Sequence, residues 1–191
     1  MVIEVILRLN QDDLFCGLPF GRIQRGRRRG VGELTHIDSS GKVRMVDVGS
    51  KSATRRTAIA EGSIVMEPTT LDAILAGRVE KGEAIAVARI AAIEGVKRTA
   101  SLIPLCHPIP IDGVEVDIDP DESLPGLRVR VRVSSEWRTG VEMEAMTGVS
   151  VGLLALYDMC KALDRGMELG PVRLLEKHGG RSGSWTASTD G

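Results

Sequence analysis

Gly113-Val-Glu-Val-Asp-Ile-Asp119 and Leu127-Arg-Val-Arg-Val-Arg-Val133 alternate apolar or small residues with charged ones. A period of two places Val114, Val116 and Ile118 on one face of a strand, and Leu127, Val129, Val131 and Val133 on one face of the next. The outward positions are acidic in the first strand (Glu115, Asp117, Asp119) and basic in the second (Arg128, Arg130, Arg132). Antiparallel pairing sets those opposite charges across from each other, for a gain of a few tenths to about 1 kcal/mol per pair. Asp-Glu-Ser-Leu-Pro-Gly at 121–126 supplies the turn formers of a hairpin between them. A sheet with one apolar face needs a second layer to cover it.

The flanking sequence provides that layer. Downstream, Met146, Val149, Leu153, Leu156, Cys160 and Leu163 recur at helical spacing, which predicts a helix from about Val141 to Arg165 with Gly166 as its stop. A short strand follows at Val172-Arg-Leu-Leu175. Upstream, Ser63-Ile-Val-Met66 reads as a strand, and Pro68-Thr-Thr70 opens a short helix that ends at Gly77. Ile85, Ala88, Ala92 and Val96 then predict a longer helix within Lys81–Ser101, which Pro104 prevents from continuing. The order strand, helix pair, strand, strand, helix, strand matches a ferredoxin-like α+β sandwich, an antiparallel sheet with helices on one face. The other face is then charged and wet, or covered by another subunit.

Composition narrows the function. The chain has 191 residues, 42% of them apolar and 27% charged, which fits one globular domain with a real core. A net charge of −1 gives no global basic field, and 3% aromatics leaves few rings for stacking on bases, so nucleic acid is not an expected partner. Cys16, Cys106 and Cys160 occur singly, as thiols in a reducing compartment. No apolar run approaches the roughly 20 residues that cross a bilayer, and Glu4, Asp12 and Asp13 are unlike a signal peptide. The expected location is cytoplasmic, with no membrane partner. Gly-Arg-Ile-Gln-Arg-Gly-Arg-Arg-Arg-Gly at 21–30 lacks periodicity and reads as part of a flexible basic extension. Residues 31–57 carry turn formers and mixed charge, and read as a segment that an anion or a neighbouring subunit would order.

Three clusters carry the chemistry: Leu-Ile-Pro-Leu-Cys-His-Pro at 102–108, Thr-Gly-Val-Glu-Met-Glu-Ala-Met-Thr at 139–147, and Tyr-Asp-Met-Cys-Lys at 157–161. Pro104 and Pro108 fix the backbone around His107, a side chain that exchanges protons near neutral pH. Adjacent Cys106 and His107 do not have zinc spacing, so no metal is expected. Glu142 and Glu144 suit a helix N-terminus, and as carboxylates they also suit the N–H donors of a guanine-like ring. Asp158 and Lys161, three apart, share a helix face, where a plain surface ion pair accounts for them by spacing alone. Glu144 and Asp158 are fourteen residues apart, an offset of roughly 40° and about 21 Å along one helix. If both serve one reaction, either an extended substrate spans them or two subunits contribute different clusters. The expectation is an active site at a subunit interface.

These clusters, with Met45-Val-Asp-Val48 and Lys81-Gly-Glu83 before them and Gly170-Pro-Val-Arg-Leu-Leu175 and Gly179-Gly-Arg-Ser-Gly183 after, resemble the cyclic pyranopterin monophosphate synthase (MoaC) family of molybdenum-cofactor biosynthesis. The resemblance spans residues 32–185, leaving 1–31 as a flexible basic extension and 186–191 as a flexible tail. It implies a ferredoxin-like subunit in a hexamer, a trimer of dimers, with active sites at the dimer interface. It also implies a lyase without cofactor. The substrate would be 3′,8-cyclo-7,8-dihydroguanosine 5′-triphosphate supplied by a radical-SAM partner enzyme, and the products cyclic pyranopterin monophosphate and pyrophosphate. By the same resemblance Asp158 is catalytic, with Lys161 and Lys81 as its acid–base partners. Leu105, Cys106, His107, Met143 and Glu144 fall on substrate-binding positions, with Glu142 beside them, and Arg55, Lys177 and Arg181 are basic candidates for the phosphates.

Three positions depart from the family pattern. Arg138 and Arg181 stand where lysine is usual, and His178 where serine is common. Arginine's planar fork is not equivalent to an ammonium. The alternative reading is a non-enzymatic oligomeric sensor that binds a purine nucleotide, which would need the binding clusters but no acid–base pair.

Overall fold

The computed structural model describes residues 42–121, 123–181 and 183–188. The extension expected over 1–31 lies outside the described residues. Strand β1 covers Thr54–Val65, β2 Gly113–Pro120 and β3 Gly126–Trp137. Helices α1 (Pro68–Leu75), α2 (Ala84–Lys97) and the single turn α3 (Thr99–Leu102) lie between β1 and β2. After β3 come α4 (Glu142–Cys160), β4 (Glu168–Leu169), β5 (Arg173–His178) and β6 (Trp185–Thr186). Thr186, the first residue of the segment expected as a tail, thus ends β6.

The fold is α+β. Among the described residues six strands form one open antiparallel sheet in the order β2-β3-β1-β5-β6, with β4 pairing on β1. The hairpin has the expected register: Val116 faces Val131, Ile118 faces Val129, and Glu115, Asp117 and Asp119 oppose Arg132, Arg130 and Arg128. Val129, Val131 and Val133 are fully buried beneath α4 and α2, together with Leu153, Val149, Ala88 and Ala92.

On the opposite face the arginines do not close on the acids across the hairpin, as their register suggested. Arg128 and Arg130 donate to Glu61 of β1, at 3.2 Å each, and Arg173 of β5 reaches the same carboxylate at 2.9 Å. Arg128 also pairs with Asp121. Glu61, only 4% exposed, is therefore the hub of the charged face.

Strand β1 begins earlier than the Ser63–Met66 run suggested. Its helix-facing positions are Ala58, Ala60, Gly62 and Ile64, mostly too small to register as an apolar stripe. Helix α4 requires that smallness, since a Cβ at Gly62 would lie 2.9 Å from both Leu153 and Val149.

The long helix expected within Lys81–Ser101 is divided. Thr99 Oγ1 donates to the carbonyls of Val96 (3.0 Å) and Gly95 (3.2 Å), competing with the backbone ladder where α2 gives way to α3. Helix α4 ends at Cys160 rather than Arg165. Asp164 there accepts from the amides of Gly166 (2.8 Å) and Glu67 (2.9 Å), and Leu163 leaves the apolar stripe for solvent.

Candidate active site

Helix α4 carries candidate residues at both ends. At its C-terminal end, Asp158 lies in the last turn and Lys161 is the capping residue. Lys81 arrives from the turn before α2, where Gly82 takes φ +100. Lys81 Nζ donates to Asp158 Oδ2 at 2.9 Å and to the Asp158 carbonyl at 2.8 Å, while Lys161 Nζ lies 2.7 Å from Oδ1. The three residues read from sequence as catalytic therefore touch. Hydrogen bonds from Lys161 and Lys81, reinforced by their charges, hold the Asp158 carboxyl down at about 2. The same carboxylate holds the Lys161 ammonium above its ordinary value. At neutral pH the cluster is one carboxylate bridging two ammonium groups, with a net positive charge. That arrangement suits proton donation and stabilisation of a developing oxyanion.

The N-terminal end of α4 differs. Glu142, Met143 and Glu144 form its first turn, where the helix dipole favours negative charge. Glu144 is nonetheless buried to 4% exposure. Burial, with a smaller contribution from the charge of Glu142, pushes its carboxyl up to about 7 against an opposing backbone hydrogen bond. Cys106 stands close enough that burial, and then the Glu144 charge, raise its thiol. Leu105, Cys106 and His107, all half-buried, follow α3 in a turn closed by the Cys106 amide on the Ile103 carbonyl at 3.1 Å. Three bonds tie the rest of that loop to β3: Ser135 Oγ donates to the Pro110 carbonyl (2.7 Å), the Asp112 amide to the Ser134 carbonyl (3.0 Å), and the Glu136 amide to Asp112 Oδ2 (2.6 Å). A carboxyl titrating near neutrality is suited to general acid–base work.

Beside Glu142 opens a cleft of about 730 Å³. Its described lining includes five cations, Lys51, Arg56, Arg138, Lys177 and Arg181, and one carboxylate, Glu142. Lys177 Nζ donates to Glu142 Oε1 at 2.8 Å. Arg56 Nε donates to the Trp137 carbonyl at 3.3 Å, and the Arg138 guanidinium lies over the Trp137 ring, 5.8 Å from its centroid. Gly179 (φ +96) and Gly180 (φ +77) let the backbone pass close by, since a Cβ at Gly180 would meet the Arg56 guanidinium at 1.6 Å. Such a cleft suits a polyanion.

Sequence reasoning chose Arg55 where the cleft is lined by Arg56. Adjacent strand residues face opposite ways, and the cleft takes the position registered with Ser135, while exposed Arg55 is registered with Glu136. Lys51 lies in a segment that reads as turn formers, and in sequence Arg138 stands out only as a departure from a pattern. Neither joins the cleft until β1 and β3 are paired.

The two ends remain apart. Glu142 and Asp158 are sixteen residues apart on α4, about 24 Å at 1.5 Å per residue. Among the described residues no group of three or more His, Cys, Asp or Glu side chains is placed to hold a metal ion, and no helix is long and apolar enough to cross a membrane.

Comparison with known proteins joins these features. Residues 45–180 match the MoaC family, a span that includes α1 through α4, Lys81, the 105–107 turn, Asp158, Lys161 and most of the cleft. The chain is 56% identical over 157 residues to the cyclic pyranopterin monophosphate synthase of Brucella ovis, covering 82% of this chain and 95% of that protein. The protein of the same name from Brucella abortus is equally similar, and that of Brucella suis is 55% identical over the same length. With both ends of α4 and most of the cleft inside the matched span, the chain belongs to the MoaC family.

Proposed function

We propose that the chain is a cyclic pyranopterin monophosphate synthase, a lyase acting in molybdenum cofactor biosynthesis. It converts (8S)-3′,8-cyclo-7,8-dihydroguanosine 5′-triphosphate to cyclic pyranopterin monophosphate and pyrophosphate. The observation that carries this reading is the division of α4 between a five-cation cleft at one end and an Asp158–Lys81–Lys161 cluster at the other.

In the phosphate step a sugar hydroxyl attacks the α-phosphorus. The new O–P bond forms as the bond to pyrophosphate breaks, and the hydroxyl proton passes to a base. Negative charge accumulates on the departing pyrophosphate, which Lys177, Arg56 and Lys51 are suited to meet. Glu144, ionised in part at neutral pH, is suited to accept the proton. Glu142 and Glu144 are suited to accept the N–H donors of the guanine-derived ring, near Leu105, Cys106, His107 and Met143. Protonated Lys81 and Lys161 supply acid to the ring as it rearranges, with Asp158 fixing their positions.

Since about 24 Å separates Glu142 from Asp158 on one helix, the complete site takes its two halves from different subunits. A homo-oligomer, a hexamer built as a trimer of dimers, brings them together. Exposed Ile90, Leu154 and Val87 on the helix layer support burial of this surface by another copy. The substrate would come from a radical-SAM partner enzyme in the cytoplasm.

The test is pyrophosphate release and pyranopterin formation from the cyclo-dihydro-GTP substrate, comparing the unaltered protein with Asp158→Asn and Lys81→Ala. Product from the unaltered protein, and at least about a hundredfold less from either variant, supports the synthase. Tight binding without product from any of the three sinks it and leaves a nucleotide sensor.

A further inference from the structure

The closing edge of the cleft depends on a small contact. Strand β6 has two residues, Trp185 and Thr186, paired to Lys177 and Glu176 of β5. The loop before it, 179–183, has glycine at Gly179, Gly180 and Gly183 with φ of +96, +77 and +64. Glycine in such conformations loses more freedom on ordering than any other residue, so the loop needs a tie outside itself. One turn bond runs from the Gly183 amide to the Gly180 carbonyl, at 3.1 Å. Beside the β5–β6 ladder, a side-chain tie across the loop is made by His178, whose Nδ1 lies 2.9 Å from Ser184 Oγ and whose Nε2 lies 3.3 Å from Glu176 Oε2.

We propose that His178 is a positioning residue for the anion cleft, its imidazole clipping Ser184 to β5 so that the glycine loop holds its place along the cleft. His178 and Glu176 are two apart on one strand, so their side chains leave β5 on the same side. Ser184 immediately precedes β6. The clip therefore spans the whole loop and fixes the length of chain that carries Arg181 into the cleft lining. A hydroxyl both donates and accepts, so the Ser184 contact persists whether Nδ1 carries a proton or not. His178 itself also lines the cleft, but both ring nitrogens are engaged in the clip, which makes its role one of holding the loop.

This inference rests on the cleft being the phosphate end of the site, and the test separates the two. Inorganic tripolyphosphate is titrated into the full-length protein and into His178→Ala, Ser184→Ala and the double variant. KM and kcat are measured on the substrate, and hydrogen exchange at the Gly183 amide is followed. Each single variant is expected to weaken tripolyphosphate binding and raise KM by about three- to tenfold, in line with losing a modest hydrogen bond. The double variant should lose no more than the weaker single, because both changes break one contact. Exchange at Gly183 should accelerate while kcat stays within about twofold. Unchanged affinity and exchange in His178→Ala, beside clear binding by the unaltered protein, would overturn the clip alone. Absence of tripolyphosphate binding by the unaltered protein would overturn the cleft reading, and the clip with it.

Discussion

Lys81 holds Asp158 twice: the one ammonium donates to the carboxylate at 2.9 Å and to the carbonyl of the same residue at 2.8 Å, across a sequence separation of 77. The side-chain bond fixes the carboxylate, and the main-chain bond fixes the end of α4 relative to the turn before α2. Lys161 takes the remaining carboxylate oxygen at 2.7 Å. Asp158 is thus a bridge between two acids, and its own basicity is spent on them.

Replacing Asp158 with Asn should lower turnover by about 10²- to 10⁴-fold, the usual scale of an acid–base contribution. Tripolyphosphate affinity should stay within about twofold, because the substitution leaves the cleft cations Lys51, Arg56, Arg138, Lys177 and Arg181 in place. The bridge is solvent-exposed and screened, so its part in stability is small but has a definite sign. The folded carboxyl titrates at about 2, below its ordinary 3.8. The bridge therefore contributes above the ordinary value and is lost as pH falls through about 2. Acid unfolding curves of the two proteins should differ near pH 5 and converge near pH 2.

Glu144 has the opposite sign. Burial raises its folded carboxyl from 4.5 to about 7, so the native state resists its ionisation. The penalty is absent below the unfolded value, grows between 4.5 and about 7, and is constant above. Glu144→Gln should therefore be more stable than the unaltered protein at pH 8, by about 3–4 kcal/mol at most, and equal to it at pH 4. If Glu144 accepts the hydroxyl proton, the variant should also lose the limb of the pH–rate profile near 7. Urea unfolding at the two pH values measures the first, and initial rates from pH 5.5 to 8.5 the second.

The physical reasons for what the sequence disclosed are specific. Val129, Val131 and Val133 announced β3 because large apolar residues alternate with charge, and the register with β2 followed from that. The first half of β1 was hidden because α4 presses so closely that its inner face is Ala58, Ala60 and Gly62. The Asp158 motif was legible because Tyr-Asp-Met-Cys-Lys is local. The cleft is legible only in part, through Lys177 and Arg181, because Lys51, Arg56 and Arg138 join them only when β1 pairs with β3 on one side and β5 on the other. No spacing rule connects residues that only a sheet brings together. The same holds for Arg55 and Arg56: the sequence presents two adjacent arginines, and only the register says which lines the cleft.

Glu61 should be a stability determinant with no direct part in turnover. Burial opposes its charge, but hydrogen bonds from Arg173 and Arg130 and the charge of Arg128 outweigh that and hold its carboxyl below the ordinary range. Glu61→Gln leaves three arginines facing each other without their common anion. The expected cost is about 1–3 kcal/mol, below the figure for a fully buried pair because the arginines are one-third to one-half exposed. With a folded value below 4.5, this contribution is present above pH 4.5 and fades as pH falls through the lowered value. Urea unfolding of Glu61→Gln with and without 1 M salt checks it, the gap narrowing if the cluster is electrostatic.

The separation of the two halves of the site makes a sharper demand. Arg56→Ala damages the cleft, and Asp158→Asn damages the cluster at the far end of α4. Suppose each site takes its cleft from one subunit and its Asp158 cluster from the other. A mixed dimer of the two variants then has one site with both halves damaged and one with both halves intact. Random exchange of equal amounts makes half the dimers mixed, so about a quarter of all sites should be restored. The two variants, each inactive alone, should recover about a quarter of the unaltered protein's pyrophosphate release after being unfolded and refolded together. If a single chain supplied both halves, every site would carry one lesion and the mixture would stay as inactive as its parts. Recovery on co-refolding, absent when the variants are refolded separately and then combined without exchange, would assign the halves to different subunits.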